Sequence, residues 1–271
     1  MPINKPLPQA ISPGLDYPLA YTAAGQGRGV LLIHGSLCDY RYWRWQIPIL
    51  SEQFHVFAPS LRGCWPTAFS DDNPTYNVAQ HTQDLIAFLR RQSPDEAVHI
   101  VGHSRGAHVA LEVACTAPDL ARSLTLADPG FRIKGETAQP SFQCDVVQKI
   151  KAGAIDDAMR DFVDAVNGAG TWHQMVGWFK TMVKDNAYTV LSQIHETALE
   201  FDLARVERLN CPVLLLGGAN SPARYGQRLD ILESIFAHVE RTTIPLASHG
   251  MNLANPRAFN ERLLRFFRER A

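Results

Sequence analysis

The arrangement of apolar and polar positions divides the chain into short strands and longer helices that alternate along most of its length. Continuous apolar runs are typical of strands buried on both faces of a parallel sheet. Such runs lie at residues 30–33, 54–58, 98–101, 123–127 and 212–216, and a more polar strand pattern follows at 239–244. A loosely alternating segment at 17–23 predicts an edge strand. Together these patterns predict an α/β fold with a doubly wound, mostly parallel sheet.

Helical periodicity fills the intervals between the strands. Helices are predicted at residues 43–50, 77–91, 107–117 and 230–237. A last helix should begin at Asn255-Pro256, because asparagine is a good N-cap and proline is favoured at the first helical position.

Residues 131–208 have a different pattern. Strand-like runs are absent there, and helical segments carry aromatic and methionine side chains among charged residues. We therefore predict two units: a core formed by residues 1–130 and 209–271, and a helical insertion at 131–208. The side chains of Trp172, Met175, Trp178 and Phe179 either line an apolar pocket or form ordinary core.

The most informative segment is Gly102-His103-Ser104-Arg105-Gly106, which follows one apolar run and precedes a helical pattern. This order predicts a strand, a sharp turn with Ser104 at its apex, and a helix. A strained turn crowds the residues two positions before and after its apex, and glycine relieves that crowding because it has no Cβ. The turn would expose the Ser104 hydroxyl beside free backbone N–H groups at a helix N-terminus.

Composition and charge exclude several other classes of protein. The chain has 271 residues, 46% of them hydrophobic, and a net charge of −1 with no block of like charges, so neither nucleic acid nor a membrane surface is indicated as a partner. No apolar run approaches the ~18 residues that span a bilayer. The lead-in at residues 1–16 is rich in proline and lacks the apolar core of a signal peptide. Five cysteines without a C-x-x-C motif favour reduced thiols in a cytoplasmic protein.

Polar side chains follow several of the predicted strands. His34-Gly35-Ser36, Ser104, Asp128 and His249 all come just after a strand, and ligands of such sheets bind beyond the carboxyl ends of the strands. A serine hydroxyl needs a base, and His249, on a loop flanked by Ser248 and Gly250, is the best candidate. Asp128 could fix the orientation of His249, or it could simply form the turn before Pro129-Gly130.

These motifs resemble the α/β-hydrolase fold family. The resemblance covers about residues 28–130 and 210–270, and it includes the order Ser104, Asp128, His249. It implies that the backbone N–H groups of Ser36 and Arg105 form the oxyanion hole and that residues 131–208 are the family's variable cap.

The acid departs from the usual family pattern. Most members carry it after the strand that is predicted here at 212–216, where this chain has Ser221. Some relatives carry it at the end of the preceding strand of the sheet, the position of Asp128. Two alternatives to Asp128 remain: Asp230 as the acid, or a Ser–His pair that works without an acid.

The expected function is a serine hydrolase of a small carboxylic ester or lactone, acting on an apolar or aromatic small molecule. The position of the acid at Asp128 also resembles that in cofactor-free 2,4-dioxygenases. In those enzymes a His–Asp pair deprotonates an N-heteroaromatic substrate. A ligand receptor that retains the triad is the third alternative. No metal or cofactor is expected, because H-E-x-x-H is absent and the glycines at 25–29 precede a strand rather than a helix. The sequence does not reveal the oligomeric state.

Overall fold

The structure is a computed structural model and describes residues 10–12, 17–67, 69, 76–134, 136, 141–196 and 199–270. Most of the predicted lead-in at 1–16 lies outside these residues. The strands of the described part are β1 (Ala10–Ile11), β2 (Ala20–Ala24), β3 (Gly29–Ile33), β4 (His55–Pro59), β5 (Val98–His103), β6 (Ala121–Ala127), β7 (Arg132–Ile133), β8 (Glu200–Phe201), β9 (Val213–Gly218) and β10 (Val239–Ile244).

The same residues contain the α-helices of the fold. They are α1 (Ile47–Leu50), α2 (Val78–Gln92), α3 (Arg105–Thr116), α4 (Gln143–Lys151), α5 (Ile155–Asn167), α6 (Thr171–Gln174), α7 (Gly177–Asp185), α8 (Val190–Gln193), α9 (Ala223–Glu233), α10 (Met251–Ala254) and α11 (Pro256–Arg268). Short 3₁₀ turns lie at Tyr40–Trp43, Pro118–Leu120, Ala187–Thr189, Ile194–Glu196 and Leu203–Arg208.

Eight of the strands form one sheet in the order β1-β2-β4-β3-β5-β6-β9-β10. The pairs β1–β2 and β2–β4 are antiparallel, and all other neighbours are parallel. The predicted α/β fold with a mostly parallel sheet is therefore confirmed. The register aligns Ile33 with Gly102, Gly102 with Leu126, and Ala127 with Leu216, so four strands end at one edge.

Both faces of the sheet are covered, as a doubly wound fold requires. Along β3, Val30 and Leu32 join one hydrophobic cluster, whereas Leu31 and Ile33 join another on the opposite face. The first cluster includes side chains from α1, α11 and the helices of residues 131–208, and the second includes side chains from α2, α3 and α9. This division explains why the β3 run is apolar at every position.

Three local predictions differ from the structure. The helix predicted at 230–237 begins seven residues earlier, because Tyr225, Leu229 and Leu232 form its buried stripe. The helix predicted at 43–50 is a 3₁₀ turn followed by the short α1. Residues 131–208 contain the strands β7 and β8, which pair in parallel and were missed because two residues are too few to show periodicity.

The described helices of residues 131–208 lie over the carboxyl edge of the sheet and tie to the core through buried polar contacts. Arg105 at the start of α3 makes a bidentate ion pair with Glu196, with both nitrogen–oxygen distances at 2.6 Å. Asn186 donates from its amide nitrogen to the buried carboxylate of Asp39 at 2.8 Å. We refer to residues 131–208 as the cap from here on. No helix in the described part of the chain has both the length and the apolar character that a membrane crossing needs.

Gly106 explains how α3 approaches β3 so closely. A Cβ at this position would lie 2.3 Å from the carbonyl oxygen of His34 and 2.5 Å from that of Ile33. Both atoms belong to backbone that the sheet holds in place, so they have little room to move aside.

Gly106→Ala should therefore lower the free energy of unfolding by about 2–3 kcal/mol, since overpacking a tight contact strains the backbone. The matched control is Gly226→Ala within α9, where no atom lies within 4 Å of the added Cβ. That variant should gain about 0.5–1 kcal/mol from helix propensity. Urea unfolding measures both changes, and equal effects of the two variants would contradict the proposed contact.

Candidate active site

Ser104 has the strained backbone that the sequence predicts. Its φ is +56° and its ψ is −125°, and it immediately precedes α3. A Cβ at Gly102 would lie 2.3 Å from the carbonyl oxygen of Gly106, so glycine is required there. The predicted strand, turn and helix are confirmed, and the strain of about 1–3 kcal/mol is carried by the packed elements on either side.

His249 and Asp128 meet although they are 121 positions apart in the chain. The His249 Nδ1 lies 3.2 Å from the Asp128 Oδ2, and the two side chains are 5% and 0% exposed. Asp128 follows β6 with a φ of +40°, and this turn aims its carboxylate across the sheet edge. The structure thus favours the orienting role of Asp128 over that of a simple turn former.

The two other positions considered for the acid behave differently. Asp230 is exposed and its Oδ1 pairs with Arg241 at 2.5 Å, whereas the carboxylate that faces His249 in the described structure is that of Asp128. Ser221 donates its hydroxyl to Asp128 Oδ2 at 2.5 Å, the same oxygen that faces His249. Ser221 therefore lies beside Asp128 and donates a hydrogen bond to its carboxylate.

Ser104 and His249 line one cavity, but no hydrogen bond joins them in the described structure. Contacts between a nucleophile and its base are often long without substrate and tighten when substrate binds. The part of the predicted triad that is formed in the structure is consequently the His249–Asp128 pair.

The predicted oxyanion donors are the backbone N–H groups of Ser36 and Arg105. Among the described residues, no hydrogen bond uses the backbone N–H of Ser36 or of Arg105. A Cβ at Gly130 would lie 2.9 Å from the Arg105 nitrogen and 3.1 Å from the Ser104 Oγ. Glycine at position 130 therefore leaves space above both the hydroxyl and the amide.

His34 has a structural role at the start of this loop. Its Nε2 accepts a hydrogen bond from the Leu61 N–H at 2.9 Å, and its Nδ1 lies 2.9 Å from the Gly35 carbonyl oxygen. These contacts require the neutral tautomer that carries its proton on Nδ1. Complete burial lowers the pKa of His34 to about 4, so the ring stays neutral near pH 7.

His103 lies beside the candidate base and contacts its backbone. Its Nε2 lies 2.7 Å from the carbonyl oxygen of His249, and the two rings are 4.6 Å apart. Burial lowers the pKa of His103, so the neutral ring donates its Nε2 proton to that carbonyl. The sequence feature that could have placed His103 at the site is its position at the carboxyl end of β5.

Tyr225 and Asn167 also support His249, although the sequence did not indicate them as part of the site. The Tyr225 ring stacks on its imidazole with 4.3 Å between centroids. Asn167, at the end of α5, accepts hydrogen bonds from Gly250 N–H at 2.9 Å and from Ser248 Oγ at 2.7 Å. The cap therefore holds the loop that carries His249.

The cavity beside Ser104 and His249 has a volume of about 510 Å³. Met175, Trp178 and Phe179 line it, as one of the two alternatives for these side chains predicts. Trp172 is buried elsewhere in the cap. No charged side chain lines this cavity in the described structure, so it suits an apolar group.

The described residues contain no group of three or more His, Cys, Asp or Glu side chains arranged to hold a metal ion. All five cysteines carry free thiols.

The sequence model of the alpha/beta hydrolase family matches residues 30–262. The chain belongs to this family. A 2-hydroxy-6-oxo-6-(2'-aminophenyl)hexa-2,4-dienoic acid hydrolase from Metapseudomonas resinovorans is 26% identical over 93% of this chain and 88% of its own length. A soluble epoxide hydrolase from Corynebacterium sp. is 34% identical over 45% of this chain, but the match spans only 42% of that protein.

Solved structures share the fold along nearly the whole chain. A thermophilic esterase from Thermogutta terrifontis superposes with a TM-score of 0.79 and 19% identity, over 97% of this chain and 99% of that one. A bromoperoxidase from Bacillus anthracis gives a TM-score of 0.77 with 22% identity, over 96% and 100% of the two chains. The family and its relatives together support a hydrolase.

The buried neutral His34 makes stability depend on pH. Its pKa is lower in the folded chain than the ordinary value of about 6.5, so its contribution is complete above pH ~6.5 and is lost as the pH falls toward 4. This loss should reach about 3 kcal/mol, and other buried histidines add to it with the same sign.

His34→Gln should lower stability at pH 7.5 yet flatten its decline between pH 7 and pH 4.5, measured by urea unfolding at each pH. His173→Gln, at an exposed side chain of the cap, is the control and should retain the wild-type pH dependence. A slope unchanged in His34→Gln would show that His34 is not titrated on unfolding.

Proposed function

We propose that the protein is a serine hydrolase that cleaves a small carboxylic ester or lactone. The observation that carries this proposal is the buried His249–Asp128 hydrogen bond at the rim of the cavity that exposes Ser104. An oriented imidazole beside a strained, accessible hydroxyl is the arrangement that acyl transfer through a serine ester requires.

In this mechanism Ser104 Oγ attacks the carbonyl carbon while His249 Nε2 takes the hydroxyl proton. The carbonyl oxygen becomes an oxyanion that the N–H groups of Ser36 and Arg105 stabilise, each donor being worth about 2.7–4 kcal/mol in the transition state. His249 then gives its proton to the leaving alcohol, which departs as the acyl-serine forms. Water attacks the acyl-serine with His249 as base, and this step releases the acid and restores Ser104.

The relatives support a hydrolase of carbonyl compounds. The esterase from T. terrifontis shares the fold, and the relative from M. resinovorans is named as a hydrolase of a keto acid. An N-formylmaleamate deformylase from Pseudomonas putida is 26% identical over 73% of this chain and 74% of its own length.

Ser104→Ala should lower kcat for a short-chain aryl ester by about 10⁴- to 10⁶-fold, because the nucleophile is lost. Substrate binding should survive. A fluorophosphonate probe should label the wild-type protein at Ser104, as mass spectrometry of the labelled peptide would establish. Full esterase activity in Ser104→Ala would contradict the proposal.

The same variants separate hydrolysis from the 2,4-dioxygenase alternative. That reaction would use the His249–Asp128 pair and dispense with the serine. Oxygen uptake with a hydroxyquinolone that persists in Ser104→Ala but disappears in His249→Ala would favour the dioxygenase. Tight ligand binding without turnover of either substrate would favour a receptor.

The role of Asp128 as the acid can be tested by substitution. Asp128→Asn should lower kcat by about 10³- to 10⁴-fold, because His249 loses the carboxylate that fixes its tautomer. The Ser221 oxygen lies 2.5 Å from the Asp128 oxygen that faces His249, so a carboxylate at position 221 would stand close to the same imidazole.

The double variant Asp128→Asn with Ser221→Asp should therefore recover at least about tenfold of that loss in kcat. The control is Asp128→Asn with Ser221→Ala, which supplies no carboxylate and should show no recovery. Equal rates for the two double variants would mean that position 221 cannot replace the acid.

A further inference from the structure

Two cavities meet at Ser104. The apolar cavity described above and a second one of about 600 Å³ share Ser36, Ser104, Phe162 and Val166 in their linings. A ligand that occupies both cavities would therefore place its central part, with the bond that is cleaved, next to the Ser104 hydroxyl.

The second cavity carries an excess of positive charge in its lining. Its lining includes the arginines 105, 132, 224 and 228 but only the glutamates 136 and 196. Arg105 pairs with Glu196, and Arg228 pairs with Glu136 at 3.0 Å. Arg132 pairs at 2.7 Å with Glu200, which lies outside the lining.

Arg224 has no carboxylate partner among the described residues. Its guanidinium donates to the Ala165 carbonyl oxygen at 2.7 Å and lies 3.5 Å from the Tyr225 hydroxyl. It also lies 4.9 Å from the centroid of the Tyr225 ring, and the same ring stacks on the imidazole of His249. Arg224 thus carries a positive charge without a carboxylate partner, and the Tyr225 ring contacts both Arg224 and the predicted base His249.

A buried acceptor gives a second, independent indication of a polar ligand. Gln193 is 5% exposed and lines this cavity, and its Oε1 has no partner in the described structure. Its Nε2 donates to Thr189 Oγ1, whose own proton goes to Asn186, so the amide orientation is fixed. This oxygen needs a donor, which a carboxylate lacks but a water molecule that hydrates the carboxylate supplies, whereas an apolar chain would exclude that water.

The site also sets which part of a substrate enters each cavity. Of the two cavities, His249 lines only the apolar one, and Arg105, whose N–H is a predicted oxyanion donor, lines only the second one. The leaving group must lie beside His249 to receive its proton. The acyl group therefore extends into the second, arginine-rich cavity.

We propose that the substrate carries a carboxylate on its acyl portion, bound by Arg224, and an apolar leaving group on the His249 side. The substrate class is thus the half-ester of a dicarboxylic acid, or a lactone bearing an equivalent carboxylate. This inference depends on the proposed function for its orientation but makes a separate claim about charge.

Three esters test the claim. Monobenzyl adipate carries the carboxylate on the acyl side, and benzyl hexanoate is its neutral analogue of equal chain length. The hexanoate ester of 4-(hydroxymethyl)benzoate carries the carboxylate on the leaving group. The wild-type protein should have its highest kcat/KM with monobenzyl adipate, and added salt should reduce this preference.

Arg224→Gln retains a donor for the Ala165 carbonyl but removes the charge. It should lower kcat/KM for monobenzyl adipate about tenfold to one-hundredfold more than for benzyl hexanoate, the usual effect of losing a charged hydrogen bond. Arg224→Lys should restore part of the preference. Arg257→Gln, on an 89% exposed side chain of α11 outside both cavities, is the control and should leave the ratio unchanged.

An equal loss for both esters in Arg224→Gln would overturn the proposal and identify Arg224 as a tether of the cap. A preference for the benzoate ester would overturn the orientation. Binding of the same ligands to Ser104→Ala by calorimetry measures the charge preference without turnover. Tighter binding of monobenzyl adipate would support the carboxylate site even if no ester were hydrolysed, and such a result would count against the proposed function alone.

Discussion

The buried hydrogen bond between His249 and Asp128 is the interaction on which the candidate site depends. A carboxylate that is 0% exposed is costly unless donors surround it, and the imidazole Nδ1 and the Ser221 hydroxyl both face its Oδ2. The bond spans 121 positions of the chain, so it exists only when the sheet is complete. The chemistry of the site is therefore coupled to the folding of the whole core.

The cap contributes to this site as well as covering it. Asn167 at the end of α5 fixes the loop of His249, and Glu196 holds the side chain of the residue that follows Ser104. Loss of cap packing would thus disturb the surroundings of His249 and of Ser104 together. The cap also forms walls of both cavities, one apolar and one cationic, so it helps to determine which substrates reach Ser104.

Much of the core could be predicted from local patterns alone. The β3 run is apolar at every position because both of its faces are buried, and Asn255 caps α11 through its Oδ1 at 3.2 Å from the Ala258 nitrogen. The errors fall where local signals are weak. The first turns of α9 expose most of their side chains, and the paired strands of the cap are two residues each.

The sequence by itself determined the parallel sheet and the strained turn at Ser104 and predicted His249 as the base, because periodicity, paired glycines and loop position are local properties. Only the tertiary structure decided between the carboxylates, since Asp128 and Asp230 are both plausible along the chain but only one reaches His249. It also brought His103 to the His249 backbone and left Arg224 without a carboxylate. Distances between remote segments depend on register and packing, and no local pattern encodes them.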